Sequence, residues 1–441
     1  MTTQQSQRTD QGKEKKDPYM IITSDAHAGP PVERLRTYFE KKHWPAFDEY
    51  VKDRALQKAA ARAELGRAYA SDGPEAEEYT NDGNPRESLQ PGGHPGLNDP
   101  SRRLRDMDAD GVAGEVIFPD FPHVVSHEPP FGGVTNGRRV AGGYNQRTRE
   151  FYDPELQMAG AKAYNRWLAD FCSVAPERHA GIALTPFHNV EAAVEVIHWA
   201  KKAGLRGGIL LPGMNPLLPG YNDPIYEPIW SACEDLEMPL NCHGGHEFQD
   251  YGPGPDGLLI AGAELMFFSH RPLWWFIGGG MFERHPKLTL VFAEQSSDWV
   301  PSTLNDLDRT FAMRAGRRGA VLERSLTPRG YWDRQCYIGA TAMTVAENRL
   351  RYEIGVDTIM WGSDYPHPEG TWPFTKESLR HTFAGNSADE VRRMLGANAA
   401  RAYHFDTEAL APIVQRVGPT VEEIAEPFTE TPKDYIGQAF R

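Results

Sequence analysis

The stretch MIITSDAHAGPP, residues 20–31, decides how this chain is expected to fold. Its first residues have the apolar and β-branched character of a buried strand, and a Gly-Pro-Pro turn follows at 29–31. Side chains two residues apart in a strand point the same way, so Asp25 and His27 present an oxygen and a nitrogen to one cation. The stretch therefore supplies half of a metal site at the end of a strand.

Two later stretches place the same residue types after apolar runs. PLNC at 239–242 leads into His243, and TIMWGS at 358–363 leads into Asp364. An isolated strand-end histidine is more often a hydrogen-bonded structural residue than a ligand. Two carboxylates and two imidazoles without a thiolate suit a borderline or hard divalent ion, so we expect zinc, with manganese or iron as alternatives.

Short apolar runs recur along the chain with helical patterns between most of them. Because the runs are continuous and not alternating, they predict strands that are buried on both faces of a parallel sheet. The predicted helices are 190–203, 225–237 and 299–315, and the eight predicted strands are 20–24, 115–119, 180–186, 207–212, 239–243, 288–294, 335–339 and 357–363. Eight alternations predict an α/β fold of the (β/α)8 TIM-barrel type, whose active site lies at the carboxyl ends of the strands.

From residue 20 to about 406, the chain resembles the amidohydrolase superfamily. Within it, the resemblance is to the amidohydrolase-related branch that contains aminocarboxymuconate-semialdehyde decarboxylase and the resorcylate-type decarboxylases. Seven segments in the same order carry the resemblance: SDAH (24–27), RLRDMDADGV (103–112), YNRWL (164–168), CHGG (242–245), FERHPKL (282–288), GSDYPH (362–367) and NAAR (398–401).

The resemblance implies that Asp25 and His27 bind a metal from the first strand, His243 from the fifth and Asp364 from the eighth. The fourth strand, GGILLPG at 207–213, contains no lysine that could be carbamylated to bridge two metals. The two-metal pattern of the urease-like and phosphotriesterase-like members is therefore not expected.

Glu294 marks a second departure, because the well-studied decarboxylases of this branch carry a catalytic histidine at the end of the sixth strand. Beside a dication, Glu294 would be ionised and could act as a general base or as a metal ligand. The structural alternative is a salt bridge to an arginine beneath the barrel. We favour a functional role because the strand end is where the chemistry is expected. Asp364 would relay the proton, with Glu294 assisting and His243 holding the metal.

Five further residues are candidates for substrate binding. Each has a plainer alternative: a hydrogen bond to loop backbone for two histidines, orientation of a metal ligand for two others, and ordinary packing for the tryptophan. They are His123, His188, His246, His367 and Trp299.

The length of 441 residues exceeds a bare barrel of roughly 250 residues and leaves room for additions. We expect a disordered tail at 1–17, a barrel at 18–406 with an insertion at about 31–97, and an arm at 407–441. Within the insertion, 53–69 is predicted to be helical, and the Gly/Pro/Asn-rich loop 71–100 is a candidate lid over the active site. An arm of this kind can pack on a partner, so we expect an oligomer of identical chains or with a related subunit.

Composition agrees with an ordinary soluble enzyme. With 47 Lys and Arg against 61 Asp and Glu, the formal charge of −14 argues against a nucleic-acid partner. The first 17 residues lack the apolar core of a secretory signal, and we expect no membrane span. Four widely spaced cysteines in apolar settings predict buried thiols and a cytoplasmic location.

Three functions remain open at this level. The first is a metal-dependent hydrolase or decarboxylase of a small carboxylate or amide, in which the metal activates water or polarises a carbonyl. The second is an oxygenase with one or two iron or manganese ions, for which Glu294 would supply an extra ligand. The third is a catalytically silent partner subunit, against which the complete set of four ligands argues.

Overall fold

The structure is a computed structural model that describes most of the chain. The predicted tail, up to residue 16, lies outside the described residues, as do the predicted helix at 53–69 and the predicted lid up to residue 93. The described residues are 17–52, 94–120, 138–140, 143–145, 153–213, 218–244, 255–264, 266–315, 324–433, 435 and 437–441.

The strands form two parallel sheets and one small antiparallel pair. In chain order they are β1 (Ile22–Ala28), β2 (Gly114–Pro119), β3 (Arg138–Val140), β4 (Gly143–Asn145), β5 (His179–Gly181), β6 (Ala183–Leu184), β7 (Ile209–Leu210), β8 (Leu240–His243), β9 (Leu290–Gln295), β10 (Cys336–Thr341) and β11 (Ile359–Gly362). One parallel sheet has the order β1-β2-β5 and the other β11-β10-β9-β8-β7-β6, while β3 pairs only with β4.

The two parallel sheets join at both ends. Only Ile182 separates β5 from β6, and its amide donates to the carbonyl of Ile117 in β2. At the other end, the Asp364 amide donates to the Asp25 carbonyl at 2.9 Å, and the His27 amide donates to the Tyr365 carbonyl at 2.7 Å. With β5 and β6 taken as one interrupted strand, the described residues form the predicted eight-stranded barrel.

Helices follow most of the barrel strands and cover the outside of the sheet. None of the helices in the described ranges is both long and apolar enough to cross a bilayer. The α-helices with both ends inside the described residues are Val32–Leu35, Pro100–Asp110, Pro154–Cys172, Val190–Lys202, Glu227–Asp235, Pro255–Glu264, Phe267–Gly278, Met281–Arg284, Trp299–Ala315, Pro328–Gln335, Val345–Arg349, Arg351–Ile354, Thr375–Phe383, Ala388–Arg392, Asn398–Ala402, Thr407–Val417 and Val421–Ala425.

The burial of the strands explains why their sequences are continuously apolar. Every residue of β1, β2 and β8 is buried, because one face points into the barrel and the other packs against helices. One boundary differs from the prediction. β1 runs from Ile22 to Ala28, so Asp25 and His27 lie within the strand and not beyond it. The bonds to residues 364 and 365 extend the pairing of β1 past the apolar run.

The segment after residue 406 returns to the barrel. Its helices Thr407–Val417 and Val421–Ala425 each bury an apolar face, and the buried Phe440 packs near the end of the chain. Close by, Gln438 donates from Nε2 to the Thr341 carbonyl, at the end of β10, at 3.3 Å. The predicted arm thus packs on its own barrel, and the oligomer stays a prediction.

A buried ion pair supports the strands that carry the first predicted ligands. Arg103, on the Pro100–Asp110 helix, contacts Glu115 of β2 with Nε–Oε1 at 2.6 Å, and both side chains are inaccessible to solvent. Its Nη1 also donates to the His27 carbonyl at 2.6 Å. The guanidinium therefore ties the Pro100–Asp110 helix to the backbone of a predicted metal ligand.

We predict that Arg103→Met destabilises the fold by about 3–5 kcal/mol, because Glu115 would keep a buried charge without its guanidinium partner. His179 lies 3.4 Å from Glu115, and burial, with a smaller contribution from Arg103, lowers the pKa of His179 to about 4 in the unsubstituted protein. Urea denaturation measures the loss. The control is Arg105→Met on the exposed side of the same helix, and an equal effect of the two substitutions would contradict the prediction.

Candidate metal centre

Five side chains from three barrel strands and the end of a fourth meet at one point inside the mouth. His27 Nε2 lies 3.4 Å from Asp25 Oδ1 and 3.2 Å from Asp364 Oδ1. His243 Nε2 lies 3.6 Å from Asp25 Oδ1 and 2.9 Å from Glu294 Oε2. The four residues predicted as ligands, and Glu294 with them, therefore form a single buried cluster.

The spacing of these atoms fits a divalent ion. Ligands bonded at about 2.1 Å stand about 3.0–3.4 Å apart in octahedral or tetrahedral geometry. The nitrogen and oxygen atoms in the cluster are separated by 2.9–3.6 Å. The donor set of carboxylates and imidazoles contains no thiolate, which suits manganese, iron or zinc. The side chains of the cluster therefore fit the divalent metal ion that is expected for this fold.

Neighbouring groups hold two of the ligands in a fixed orientation. His243 Nδ1 lies 2.8 Å from the Gly244 carbonyl, so Nδ1 carries a proton and Nε2 faces the cluster. Thr341, at the end of β10, donates from Oγ1 to Asp25 Oδ2 at 2.5 Å, which leaves Asp25 Oδ1 directed at the histidines. Such supporting hydrogen bonds keep a ligand in place before an ion binds.

The backbone at two of the carboxylates is unusual. Glu294 has a φ of 50° and Asp364 a φ of 59°, in the left-handed region that residues other than glycine rarely adopt. Such conformations cost of order 1–3 kcal/mol each and persist where surrounding contacts enforce them, often at functional sites. These conformations turn the side chains of Glu294, in β9, and of Asp364, after β11, toward the barrel axis.

Charges inside the cluster depend strongly on one another. Burial disfavours ionisation of Asp25, but hydrogen bonding by His243 and His27 outweighs it and holds the pKa of Asp25 below its usual range. Burial also lowers the pKa of His243, but Glu294 and Asp25 outweigh that and raise it to about 9. Carboxylates thus draw protons onto the imidazoles, and a divalent ion competes with those protons.

His367 joins the cluster from the loop after β11. Its ring stacks on that of His27 with centroids 4.1 Å apart. Nδ1 lies 2.7 Å from Asp364 Oδ1, and Nε2 lies 3.2 Å from Asp120 Oδ2. The structure therefore places His367 between two carboxylates at the centre, and its predicted contact with substrate stays a prediction.

Two other predicted substrate contacts, Trp299 and His188, are not brought to the cluster. Trp299 stacks on His270 with centroids 3.9 Å apart and packs against Phe292. His188 lies near Pro154 on a separate cleft of about 370 Å³. The remaining two candidates, His123 and His246, lie outside the described residues.

Sequence reasoning missed three side chains at the centre. Thr341 and Asp120 each lie at the end of a barrel strand, so the rule that found the ligands could have found them. Phe118 places its ring 4.6 Å from that of His243, which gives the centre an apolar wall. Because Phe118 lies in a buried strand, its sequence context did not distinguish it from an ordinary core residue.

Comparison with known sequences defines the class of protein. A model of the amidohydrolase family matches residues 93–405. This is more than half of the chain, so the chain belongs to the amidohydrolase family, as its motifs predicted, and it is an enzyme.

Individual relatives are distant. The chain is 23% identical over 274 residues to γ-resorcylate decarboxylase of Rhodococcus jostii (strain RHA1), covering 56% of this chain and 77% of that protein. It is 24% identical over 272 residues to γ-resorcylate decarboxylase of Rhizobium sp. (strain MTP-10005), covering 56% and 76%.

Solved structures share the fold at lower identity. A 5-carboxyvanillate decarboxylase of Novosphingobium aromaticivorans, crystallised with manganese and a nitrobenzoic acid, superposes with a TM-score of 0.60 at 18% identity over 88% of this chain and 97% of that one. A dihydroxybenzoic acid decarboxylase of Polaromonas sp. JS666, crystallised with manganese and 2-nitroresorcinol, gives 0.54 at 16% identity over 89% and 99%. Both contain manganese, and the choice of zinc made from the sequence stays a prediction.

We predict that Thr341→Val weakens binding of Mn²⁺ by about 10–100-fold, because it removes the hydroxyl that fixes Asp25 while keeping the shape of the side chain. Competition with a chelating indicator measures the affinity. Thr341→Ser keeps the hydroxyl and is the control. Equal affinities of the valine variant and the wild type would show that Asp25 needs no such support.

Proposed function

We propose that the enzyme is a metal-dependent carboxy-lyase that releases carbon dioxide from a small aromatic carboxylate. The observation that carries the proposal is the cluster of Asp25, His27, His243 and Asp364 at the carboxyl ends of the barrel strands. The relatives add the reaction type, since they are named decarboxylases of aromatic acids. Manganese is the proposed metal, because both of the superposed decarboxylases contain it.

The charges around the cluster support the binding of an anionic substrate through the metal. In the described part of the chain, the ion pairs of Asp25, Glu294 and Asp364 are all with histidines. None of these ion pairs contains a lysine or arginine side chain that could bind a substrate carboxylate. A bound divalent ion would supply the positive charge that attracts this group and polarises it.

Glu294 is the residue proposed to move the proton. Its side chain is 21% exposed, whereas those of Asp25 and Asp364 are 0% and 2% exposed, so Glu294 faces the open side of the cluster. Burial opposes ionisation of Glu294, but the charge of His243 outweighs it and holds the pKa of Glu294 well below its usual range. Glu294 therefore begins the reaction as a base.

The chemistry needs one proton for each molecule of carbon dioxide. When the bond to the carboxylate breaks, its electron pair stays on the ring carbon, which must then be protonated. We propose that Glu294 accepts a proton from a phenolic hydroxyl of the substrate and returns it to that carbon, and that the phenolate product then takes up one proton from solvent. Phe118, beside His243, would pack against the ring and limit access of water.

We predict that Glu294→Gln lowers the rate of decarboxylation by roughly 10²–10⁴-fold, the range for a lost acid–base group. The assay measures carbon dioxide released from dihydroxybenzoates and carboxyvanillate by the Mn²⁺-loaded protein. Metal content is measured on the same samples, and Glu422→Gln on the exposed C-terminal helix is the control.

The two measurements separate the possible roles of this side chain. A slow variant with its metal retained supports the proton-transfer role. Loss of the metal would make Glu294 a ligand, and near-normal turnover would make it structural. Lack of decarboxylation by the wild type across both substrate types would overturn the proposed function itself.

A second function is favoured by one observation. Glu294 and His367 add a carboxylate and an imidazole to the four predicted ligands, and such oxygen- and nitrogen-rich sets suit redox-active iron. An oxygenase would use dioxygen and two electrons from an external donor to place one oxygen atom in the substrate and release the other as water. Dioxygen uptake by the Fe²⁺-loaded protein with an added reductant, measured with an oxygen electrode, distinguishes this function from decarboxylation.

A further inference from the structure

The end of the chain lies at the mouth of the barrel. Tyr435 and residues 437–441 form a segment that we call the terminal strap. Gln438 donates from Nε2 to the Thr341 carbonyl, at the end of β10, at 3.3 Å. The Tyr435 hydroxyl donates to the Glu369 carbonyl, in the loop after β11, at 3.4 Å. The terminal strap therefore contacts two neighbouring strand ends at the edge where the metal centre lies.

A buried aromatic ring holds the terminal strap in place. The side chain of Phe440 is 9% exposed, and it packs with Ala439 against Ala342, the residue after β10. The Phe440 ring has its centroid 4.9 Å from that of Tyr435 and 5.9 Å from that of Phe428. Burial of a large ring stabilises such a contact more than single hydrogen bonds do. Phe440 therefore provides most of the docking energy, and the hydrogen bonds fix the position of the strap.

Gly437 allows the closest approach of the terminal strap to the barrel. A Cβ atom at this position would overlap the carbonyl oxygen of Glu369 and the hydroxyl of Tyr435. The Ala439 amide donates to the same hydroxyl at 3.2 Å. A single methyl group at position 437 would therefore separate the strap from the loop after β11.

The first contact of the terminal strap leads to a predicted metal ligand through one residue. Thr341 accepts from Gln438 through its carbonyl and donates from Oγ1 to Asp25 Oδ2 at 2.5 Å. The strap thus supports the residue that orients Asp25.

The second contact leads to the other side of the centre. Glu369 lies in the turn after Asp364, in which the His367 amide donates to the Asp364 carbonyl at 2.8 Å and the Gly370 amide donates to the His367 carbonyl at 3.1 Å. Burial raises the pKa of Tyr435 to about 12, and the charge of Asp364 adds to the increase. Tyr435 therefore stays a hydrogen-bond donor close to this turn.

We propose that docking of the terminal strap and binding of a divalent ion at the centre strengthen each other. The docked strap fixes Thr341 and the turn after β11, and these hold Asp25 and Asp364 for the ion. The match to the family model ends at residue 405, so the strap lies outside it. The coupling concerns metal binding and not the reaction, so it goes beyond the proposed carboxy-lyase function.

The affinity for Mn²⁺ tests one direction of the coupling. In the full chain, Gly437→Ala should weaken binding of Mn²⁺ by at least about 5-fold, the low end for coupled sites. Competition with a chelating indicator measures the affinity, and circular dichroism checks the fold. The control is Gly278→Ala at the end of the Phe267–Gly278 helix, where a Cβ atom would meet nothing within 4 Å. This variant should bind Mn²⁺ as the wild type does.

Hydrogen exchange tests the other direction, because coupling between two binding events is reciprocal. The Ala439 amide donates to the Tyr435 hydroxyl, so it exchanges when the terminal strap lifts off. Saturating the metal-free wild type with Mn²⁺ should slow exchange in the peptide that contains Ala439 by at least about 5-fold. Exchange in the Val190–Lys202 helix is the internal control and should not change.

The two measurements decide the proposal between them. If Mn²⁺ leaves the exchange of the terminal strap unchanged, the proposal is wrong, whether or not the Gly437 variant folds. Normal Mn²⁺ affinity in a Gly437→Ala variant whose strap exchanges freely would also overturn it. So would a wild type that binds no Mn²⁺, since there would be nothing to couple. Neither experiment measures carbon dioxide, so failure of the carboxy-lyase function would leave the result intact.

Discussion

The closure of the barrel between its first and last strands is the constraint on which the centre depends. The backbone bonds from Asp364 to Asp25 and from His27 to Tyr365 place the two ends of the sheet side by side. The predicted ligands from β1 and from the residues after β11 lie side by side because these bonds form. Residues that are distant in the sequence then lie within 4.8 Å of one another.

Buried charge is the second constraint, and the fold handles it in two different ways. Below the mouth, Arg103 and Glu115 neutralise each other directly, with both side chains hidden from solvent. At the mouth, carboxylates are concentrated around imidazoles, and no guanidinium pairs with Asp25, Glu294 or Asp364 in the described part of the chain. The first arrangement stabilises the fold, whereas the second attracts cations.

Much of this arrangement could be predicted from the sequence, because strands that follow one another along the chain are neighbours in a parallel barrel. Asp25, His27, His243 and Asp364 were predicted from their places after apolar runs, and the structure brings all four together. Local pattern could not show that β1 extends through His27, because the pairing that extends it comes from distant residues 364 and 365.

Other features depended on geometry that sequence patterns do not contain. The strand-end rule could have singled out Thr341 and Asp120, but it could not show that they contact Asp25 and His367, which come from other parts of the sequence. Trp299 and His188 follow barrel strands as the cluster residues do, yet the first packs among aromatic rings and the second lies on another cleft. Position after a strand brings a side chain to the mouth of the barrel, while its direction there is set by the loop and by its neighbours.

The hydrogen bond from Gln438 to the Thr341 carbonyl has a consequence for the order of assembly during synthesis. Thr341 holds Asp25, so the last few residues of the chain lie one residue away from a ligand supplied by its first strand. A ribosome releases the amino-terminal residues first, and contacts between distant segments form late because they must overcome the entropy of a long loop. The site of the predicted ligands Asp25 and His27 is therefore complete only after almost the whole polypeptide has been synthesised. Until then, the nascent chain contains these two residues without their partners.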